Sequence, residues 1–445
     1  MRIARHQFVR STIQTLAATA SMSFVALSLT IAAANASTAP EITAKNWYWG
    51  PGNRWSFKHT SRIFPSANIY RGAGPIAKLD YALRDLDEIT FIDPTTKARM
   101  SIAQMYAATD TDAFLVMKDG KIVTERYFNG MKPEDTHLLM SVSKSVIGVL
   151  SGIIISQGRL DPNAQVTSYI PELKGSSYEG ATVRNLLDMS VGMEFDEDYS
   201  SKTSDLYRLD EAVGWVERGP NAANGLHEYL STLKKRHGTH GAEFRYISAN
   251  TDAMGWVLER TTNTDYADLV SKELWSKLGA ERDAYVLLDG VQAAYADPGL
   301  NMTLRDLGRF SQMVLQGGLY NGQQIVPGNW IEDIRHGGDP QAWKKGPEYS
   351  YFRTLSGYEN GSYRNYWYVA DPRRGHITAI GLAGQLIVIN PSSNTIVVKF
   401  SSHATPATGQ YDTEYAGAIA IVDALSGHSG NEPRAQAGPA TERPN

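Results

Sequence analysis

Residues 137–158, HLLMSVSKSVIGVLSGIIISQG, constrain the fold more than any other part of the chain. Residues 146–155 within this stretch are so apolar that a helix formed there has to be buried. Ser141 and Lys144 stand three residues apart at the start of this helix and therefore share one of its faces. Burial removes solvation from a lysine charge and favours the neutral amine, which can accept the proton of a serine. The segment thus predicts a buried helix that carries a nucleophile and a base.

The spacing of these two residues is not specific by itself. A second Ser-x-x-Lys pair, Ser231 and Lys234, lies in the polar run STLKKRHGTHG, which offers no buried face. We interpret this second pair as a solvated helix end. The same interpretation, a helix-capping serine and a surface lysine, would apply to Ser141 if no other motif supported it.

The N-terminus has the pattern of a cleavable secretory signal. A basic start is followed by the apolar and small residues 16–34, and Ala34-Asn35-Ala36 is a small-x-small site, so we expect cleavage after Ala36. A membrane anchor is the competing interpretation, which the many Ala, Ser and Thr residues disfavour. The absence of cysteine excludes disulfides and a thiol nucleophile. We expect a periplasmic or secreted protein with no membrane association once the signal is removed.

The remaining sequence predicts one main domain with extensions. Residues 37–104 suggest an irregular arm that packs on the core, residues 105–425 the main domain, and residues 426–445 a disordered tail. Strand patterns occur early and late, and helical periodicity fills the middle; the early strands 113–117 and 122–128 flank the turn signal Asp119-Gly120. We therefore predict an α/β fold of the α+β kind. One antiparallel sheet is built from both ends of this domain, and a helical subdomain is inserted between them.

Two distant segments could complete a serine–lysine site. Tyr246 precedes a predicted helix and could face a cleft; close to a lysine ammonium, the pKa of its phenol would fall, which suits proton transfer. The alternative is that Tyr246 merely packs under the helix. Residues 380–385, IGLAGQ, lie between two strands, where glycines allow a substrate to approach and a backbone N–H to bind an oxyanion. The alternative there is a turn or β-bulge.

Taken together and in this order, these segments resemble the serine β-lactamase and penicillin-binding-protein superfamily, in its class C-like branch. The branch carries Ser-x-x-Lys, Tyr-x-Asn and Lys-Thr-Gly, and the resemblance spans about residues 105 to 425. It implies that Ser141 is the acylated nucleophile, Lys144 its general base and Tyr246 the second proton carrier. It also implies that the N–H groups of Ser141 and Gln385 bind the oxyanion. How the base role divides between Lys144 and Tyr246 stays open.

The departures from these motifs concern the substrate. Ser248 replaces the asparagine of the second motif, and Leu382-Ala383-Gly384 replaces the third, so the lysine that contacts a substrate carboxylate is missing. The chain is more similar to the 6-aminohexanoate-dimer hydrolase group, which are amidases and esterases. That resemblance implies that Tyr199 helps to hold the scissile amide and that Ser248, Ala383 and Gly384 contact substrate. The alternative for Tyr199 is an exposed loop residue.

We therefore expect a serine hydrolase that cleaves a small amide or ester through an acyl-enzyme. A class C β-lactamase or DD-peptidase acting on cell-wall peptides, and a non-catalytic binding protein on the same fold, are the alternatives. We expect no metal and no organic cofactor, since the acidic pairs and histidines lack the spacing of a metal site. The formal net charge of −4 and the lack of a basic block exclude nucleic acid as a partner. The sequence does not decide the oligomeric state.

Overall fold

A computed structural model describes residues 42–371, 374–406 and 409–426 of the protein. The predicted signal peptide (residues 1–36), its cleavage point after Ala36, and all but the first residue of the predicted tail lie outside these described residues. Across the described ranges, no helix combines the length and apolar character required to cross a bilayer.

The described strands are short outside the main sheet. In chain order they are β1 (Ser66–Ile69), β2 (Asp80–Tyr81), β3 (Thr90–Ile92), β4 (Arg99–Ser101), β5 (Thr111–Lys118), β6 (Lys121–Tyr127), β7 (His137–Leu138), β8 (Ala284–Leu287), β9 (Leu300–Met302), β10 (Leu319–Tyr320), β11 (Gln323–Gln324), β12 (Ser362–Arg364), β13 (Trp367–Val369), β14 (Ile377–Gly381), β15 (Gln385–Asn390) and β16 (Thr395–Ser401).

Eight of these strands form the main sheet, in the order β12-β13-β14-β15-β16-β5-β6-β2. Early and late strands meet where β5 pairs antiparallel with β16, with Val116 opposite Val397. β5 and β6 are joined by Asp119 and Gly120, whose φ angles of 52° and 76° are those of the tight turn that the sequence predicts. The predicted sheet built from both ends of the domain is confirmed, with one difference: β2 pairs with β6 in parallel.

Helices fill the chain between these two groups of strands and also cover the sheet. In chain order they are α1 (Asn53–Ser56), α2 (Ile102–Ala108), α3 (Val142–Ser156), α4 (Val166–Tyr169), α5 (Val183–Leu187), α6 (Asp205–Val213), α7 (Leu226–Thr232), α8 (Ser248–Thr262), α9 (Tyr266–Glu273), α10 (Leu304–Leu315), α11 (Gly328–His336), α12 (Pro340–Lys345), α13 (Tyr349–Phe352) and α14 (Gly409–Leu425), with 3-10 turns at Thr60–Arg62, Pro171–Leu173 and Trp275–Lys277. The predicted α+β arrangement with a helical insertion is confirmed. α10 and α14 pack on the main sheet, and α3 packs on β14 and on α8.

Helix α3 is buried as its apolar sequence requires. Two glycines one turn apart let neighbours approach it closely: a Cβ added at Gly148 would lie 2.0 Å from the carbonyl oxygen of Asn365, and one at Gly152 would lie 2.3 Å from the ring of Trp330. Trp330 also donates from Nε1 to the carbonyl oxygen of Gly148 at 3.0 Å. These contacts hold the helix that begins beside Ser141.

The segment before the main domain carries buried aromatic residues. Trp47 is fully buried, and its Nε1 donates to the carbonyl oxygen of Trp215 at 2.8 Å. The two indole rings meet edge to face, with centroids 4.8 Å apart. Trp215 follows α6, which lies beside the site described next.

Candidate active site

Ser141 lies at the start of α3, and its hydroxyl does not cap the helix. It follows Met140, whose φ of 49° is a strained conformation for a non-glycine residue, and its side chain makes no capping hydrogen bond. Lys144 Nζ lies 2.8 Å from Ser141 Oγ. The helix-cap interpretation is therefore wrong for Ser141, since its hydroxyl contacts the lysine one turn away.

Lys144 is buried in a polar environment that the sequence analysis missed. Its ammonium, 1% exposed, contacts the Asp297 carboxylate directly and donates to Ser248 Oγ at 3.2 Å. Burial raises the pKa of Asp297, and the Lys144 charge opposes this rise. Behind it, Asp252 Oδ1 accepts the Asp297 N–H at 2.9 Å, and burial together with Asp297 raises the pKa of Asp252 well above its usual value. Asp297 lies in YADPGLNM, which carries no motif that could have identified it.

Tyr246 also lies close to the nucleophile. It lines the same cavity as Ser141, and Lys144 Nζ lies 4.7 Å from the centre of its ring. Burial, followed by the charge of Asp297, raises the pKa of Tyr246 well above its usual value. The predicted fall in this pKa is wrong, because desolvation and nearby carboxylates outweigh the lysine. Tyr246 therefore keeps its proton at neutral pH.

Glu197 links two of the predicted substrate residues and was also missed. Its Oε1 accepts from the hydroxyls of Ser248 and of Tyr199, the latter at 3.1 Å. The backbone N–H of Ser248 donates to Oε2 at 3.0 Å. Tyr199 is thus held at the site and is not the exposed loop residue of the alternative interpretation. The sequence offered one signal for Glu197, which stands two residues before Tyr199 in EFDEDYSSK. A carboxylate this close in the chain to a tyrosine that is expected to bind substrate can contact that tyrosine.

Two backbone N–H groups are free beside the nucleophile. β13 pairs with β14 only at Ile377 and Thr378, so the end of β14 is not paired with β13. Among the described hydrogen bonds, neither the N–H of Ser141 nor that of Leu382 has a partner. Leu382 lines the same cavity as Ser141. Two such donors can stabilise the oxyanion that forms when a serine attacks a carbonyl carbon.

The next three residues, Ala383, Gly384 and Gln385, do not line this cavity, contrary to the prediction. Ala383 and Gly384 (φ 60° and 91°) form the turn from β14 to β15, and the N–H of Ala383 donates to the Tyr411 hydroxyl at 2.6 Å. Gln385 is fully buried, and its side chain bonds carbonyl oxygens behind the turn, including that of Ser401 at 2.7 Å. Leu382 therefore occupies the position expected for Gln385.

The glycines at the two ends of this turn allow close packing within the protein. A Cβ added at Gly381 would lie 2.6 Å from the carbonyl oxygen of Leu139, and one at Gly384 would lie 2.4 Å from the ring of His403. Gly381 thereby brings the end of β14 against the residues just before Ser141.

The cavity in front of Ser141 has a volume of about 340 Å³ and is apolar and acidic. None of the described residues that line it is a lysine or an arginine; they are Ser141, Glu197, Tyr199, Tyr246, Glu348, Tyr351, Phe352, Leu355, Tyr368, Ile380, Gly381, Leu382, Leu386, Pro406, Tyr411, Glu414 and Tyr415. Burial raises the pKa of Glu348 to about 7, as it does for Glu197. A second cavity of about 540 Å³ lies beyond Tyr199 and includes Asp210, whose pKa burial also raises to about 7.

The other candidate residues lie outside this site. Ser231 Oγ donates to the carbonyl oxygen of Glu228 at 2.7 Å and Lys234 is exposed, so the second Ser-x-x-Lys pair is a solvated helix end, as predicted. His237 Nε2 lies 2.9 Å from Glu243 Oε1. Within the ranges that the structure describes, no group of three or more His, Asp or Glu side chains could hold a metal ion.

Comparisons with known proteins give the following similarities. Residues 101–421 match the family model described as Beta-lactamase. The 6-aminohexanoate-dimer hydrolase of Paenarthrobacter ureafaciens is 36% identical over 375 residues, which cover 83% of this chain and 90% of that protein. A solved structure named "Putative 6-aminohexanoate-dimer hydrolase from Bacillus anthracis" superposes with a TM-score of 0.79 at 28% identity, covering 87% of this chain and 98% of that one. The octameric penicillin-binding protein homologue from Pyrococcus abyssi shares the fold, with a TM-score of 0.55 at 18% identity over 72% of this chain and 76% of that one.

Proposed function

This chain belongs to the beta-lactamase family and is a serine hydrolase, and we propose that it cleaves an amide bond of a linear aliphatic oligoamide through an acyl-enzyme on Ser141. One observation carries the proposal: Lys144 Nζ lies 2.8 Å from Ser141 Oγ at the edge of an apolar and acidic cavity. A nucleophile and base at this separation are within the range required for proton transfer. A pure binding protein would have no need of this contact together with Tyr246.

Acylation requires neutral Lys144, which forms when its ammonium passes one proton to the Asp297 carboxylate that it contacts. Ser141 Oγ then attacks the amide carbon as its proton passes to Lys144, and the N–H groups of Ser141 and Leu382 receive the oxyanion. Tyr246 then donates its proton to the leaving amine as the carbon–nitrogen bond breaks, and it takes up the proton held by Lys144. The raised pKa of Tyr246 supports this assignment, because a phenol that stays protonated is an acid and not a base.

Deacylation reverses these roles. A water molecule attacks the acyl carbon, gives its proton through the same residues to Ser141 Oγ, and releases the carboxylic acid. The nucleophile, the lysine and the tyrosine then regain their starting protonation states.

The lining of the cavity supports an aliphatic amide over a β-lactam. Apolar side chains, Phe352 and Leu355 among them, offer contact to a methylene chain, whereas Glu197 and Glu348 would repel the carboxylate of a penicillin. The similarity to 6-aminohexanoate-dimer hydrolases points to the linear dimer of 6-aminohexanoate as the first substrate to test. These features disfavour the class C β-lactamase and DD-peptidase alternatives.

Covalent labelling followed by turnover tests the proposal. We expect a fluorophosphonate to form an adduct on Ser141, detected by mass spectrometry; Ser141→Ala should form none, and the matched control Ser231→Ala should react as wild type does. We expect the linear 6-aminohexanoate dimer to be hydrolysed, with two monomers appearing by liquid chromatography. Folded protein without an adduct would refute the serine mechanism. Turnover of a chromogenic cephalosporin but not of the dimer would refute the substrate class.

A further inference from the structure

Glu197 is the acidic residue of its loop that turns towards the nucleophile. Its neighbours Glu194, Asp196 and Asp198 are exposed, whereas Glu197 reaches the first residue of α8 and lines the cavity of Ser141. It does not touch Ser141 or Lys144 through any described hydrogen bond. Its contacts are instead with Ser248 and Tyr199.

Three donors converge on the Glu197 carboxyl group. The hydroxyls of Ser248 and Tyr199 donate to Oε1, and the backbone N–H of Ser248 donates to Oε2. An ionised carboxylate only accepts hydrogen bonds, so it can accept from all three donors. A protonated carboxyl carries an O–H donor, which would face these donors without an acceptor. The arrangement around Glu197 is therefore built for the ionised form.

The direction of these hydrogen bonds connects Glu197 to the base. Because the Ser248 hydroxyl donates its single proton to Glu197, its oxygen lone pairs face Lys144 Nζ at 3.2 Å. If Glu197 takes up a proton, the Ser248 hydroxyl is free to turn towards Lys144 or Asp297 and the ordered arrangement is lost. The Tyr199 hydroxyl loses its fixed acceptor at the same time.

We propose that ionised Glu197 is a positioning residue for the acylation step, acting on Lys144 through Ser248 and fixing Tyr199 at the cavity. The proposal rests on the proposed function, because it requires Ser141 to be the nucleophile. Glu197 itself forms no bond with the reacting atoms. When Glu197 is protonated, Lys144 and Tyr199 lose the hydrogen-bonded arrangement that holds them for acylation.

The charged and titratable groups that face Glu197 come from several elements. They are Lys144 on α3, Asp210 on α6, Tyr246 before α8, Asp297 before β9, Tyr199 in the same loop and Tyr48 in the N-terminal segment. Burial raises the pKa of Glu197 to about 7, while Lys144 and the hydrogen bonds from Ser248 act to lower it. Acylation is therefore expected to slow as the pH falls through about 7, where Glu197 gains its proton.

The experiment measures the rate of Ser141 labelling by a fluorophosphonate between about pH 5.5 and 8.5. In wild type we expect the rate to fall below about pH 7. Glu197→Gln should react about tenfold more slowly at high pH, because a neutral amide replaces a charged acceptor. Its rate should also lose the pH dependence near neutrality. Near-UV circular dichroism checks that the variant is folded.

Glu259→Gln is the matched control for this experiment. Burial also raises the pKa of Glu259 to about 7, but its charged neighbours are Asp265 and Asp289, away from Lys144. Glu259→Gln should keep the wild-type rate and pH profile. If Glu197→Gln does not fold, Tyr199→Phe replaces it: the loss of a donor should move the pH midpoint of labelling upwards.

The outcomes separate the two proposals. Wild-type protein that forms no adduct at any pH refutes the proposed function and, with it, the role of Glu197. Wild-type protein that reacts, with Glu197→Gln matching its rate and its pH profile, refutes only the role of Glu197. A pH profile altered equally by Glu197→Gln and Glu259→Gln would also refute it, since the effect would not arise at the site.

Discussion

The buried pair of Lys144 and Asp297 gives the sharpest prediction on stability. The two side chains are 1% and 4% exposed, so neither charge can be solvated if its partner is removed. Lys144→Met leaves Asp297 beside Asp252 without a cation, and the carboxylate then has to take up a proton for the protein to stay folded. In the unfolded chain the same carboxyl titrates normally, with a pKa of about 3.9.

The cost of that proton uptake depends on pH in a calculable way. One pKa unit corresponds to about 1.36 kcal/mol, so protonating Asp297 costs about 4 kcal/mol at pH 7 and about 1.5 kcal/mol at pH 5. The folded-state pKa of the carboxyl is raised in the variant, so the loss of stability grows as the pH rises above 3.9. Lys144→Met should therefore be much less stable than wild type at pH 7 and only moderately so at pH 5.

The double variant Lys144→Met/Asp297→Asn supplies the matched control. It has no carboxyl to protonate at position 297, so its stability relative to wild type should hardly change between the two pH values. At pH 7 it should be more stable than Lys144→Met alone. Urea unfolding followed by the fluorescence of the nine tryptophans measures both effects. An equal loss for Lys144→Met at both pH values, or a double variant that adds the two single losses, would refute the ion-pair reasoning.

Three substitutions test the geometry of the site. Tyr246→Phe should lower amide hydrolysis about 10²–10⁴-fold but acylation by a p-nitrophenyl ester far less, because p-nitrophenolate leaves without a proton; equal losses would assign the base role to Tyr246. Gly381→Ala places a Cβ 2.6 Å from the carbonyl oxygen of Leu139, and we expect a loss of about 1–3 kcal/mol in urea unfolding together with slower fluorophosphonate labelling. Gly152→Ala, with its Cβ 2.3 Å from the ring of Trp330, should lose similar stability but keep the labelling rate; slower labelling in both variants would contradict the assignment of Gly381 to the site.

The main elements could be predicted because their patterns are local. Residues 146–155 are apolar on every side and form the interior of α3, and Asp119-Gly120 forms the predicted hairpin turn. The predicted family resemblance and the predicted fold are confirmed. They could be predicted because three separate motifs in the right order are far more specific than any one of them. Ser141, Lys144 and Tyr246 meet in space as their order in the chain suggested.

The parts that could not be predicted depend on registers and loops. The prediction placed the second oxyanion donor at Gln385 by matching Leu382-Ala383-Gly384 to a motif, whereas pairing of Gly381 with Gln385 makes these three residues a turn. Only the sheet register shows where β14 ends, and no local pattern encodes it. Asp297 lies in a connection without periodicity, and its role follows only from the lysine that reaches it from another element.

The distribution of charge around Ser141 supports the proposed substrate class. Burial raises the pKa values of Glu197, Asp210 and Glu348 to about 7. The cavities near Ser141 therefore disfavour additional negative charge. A β-lactam carboxylate would be desolvated among these groups with no cation to pair with it. None of the described residues that line the cavity is a lysine or an arginine, and the carboxyl groups on the facing elements make the lack of a cation costly for an anion. An aliphatic amide carries no such charge next to its scissile bond, so we expect the same cavity to accept it.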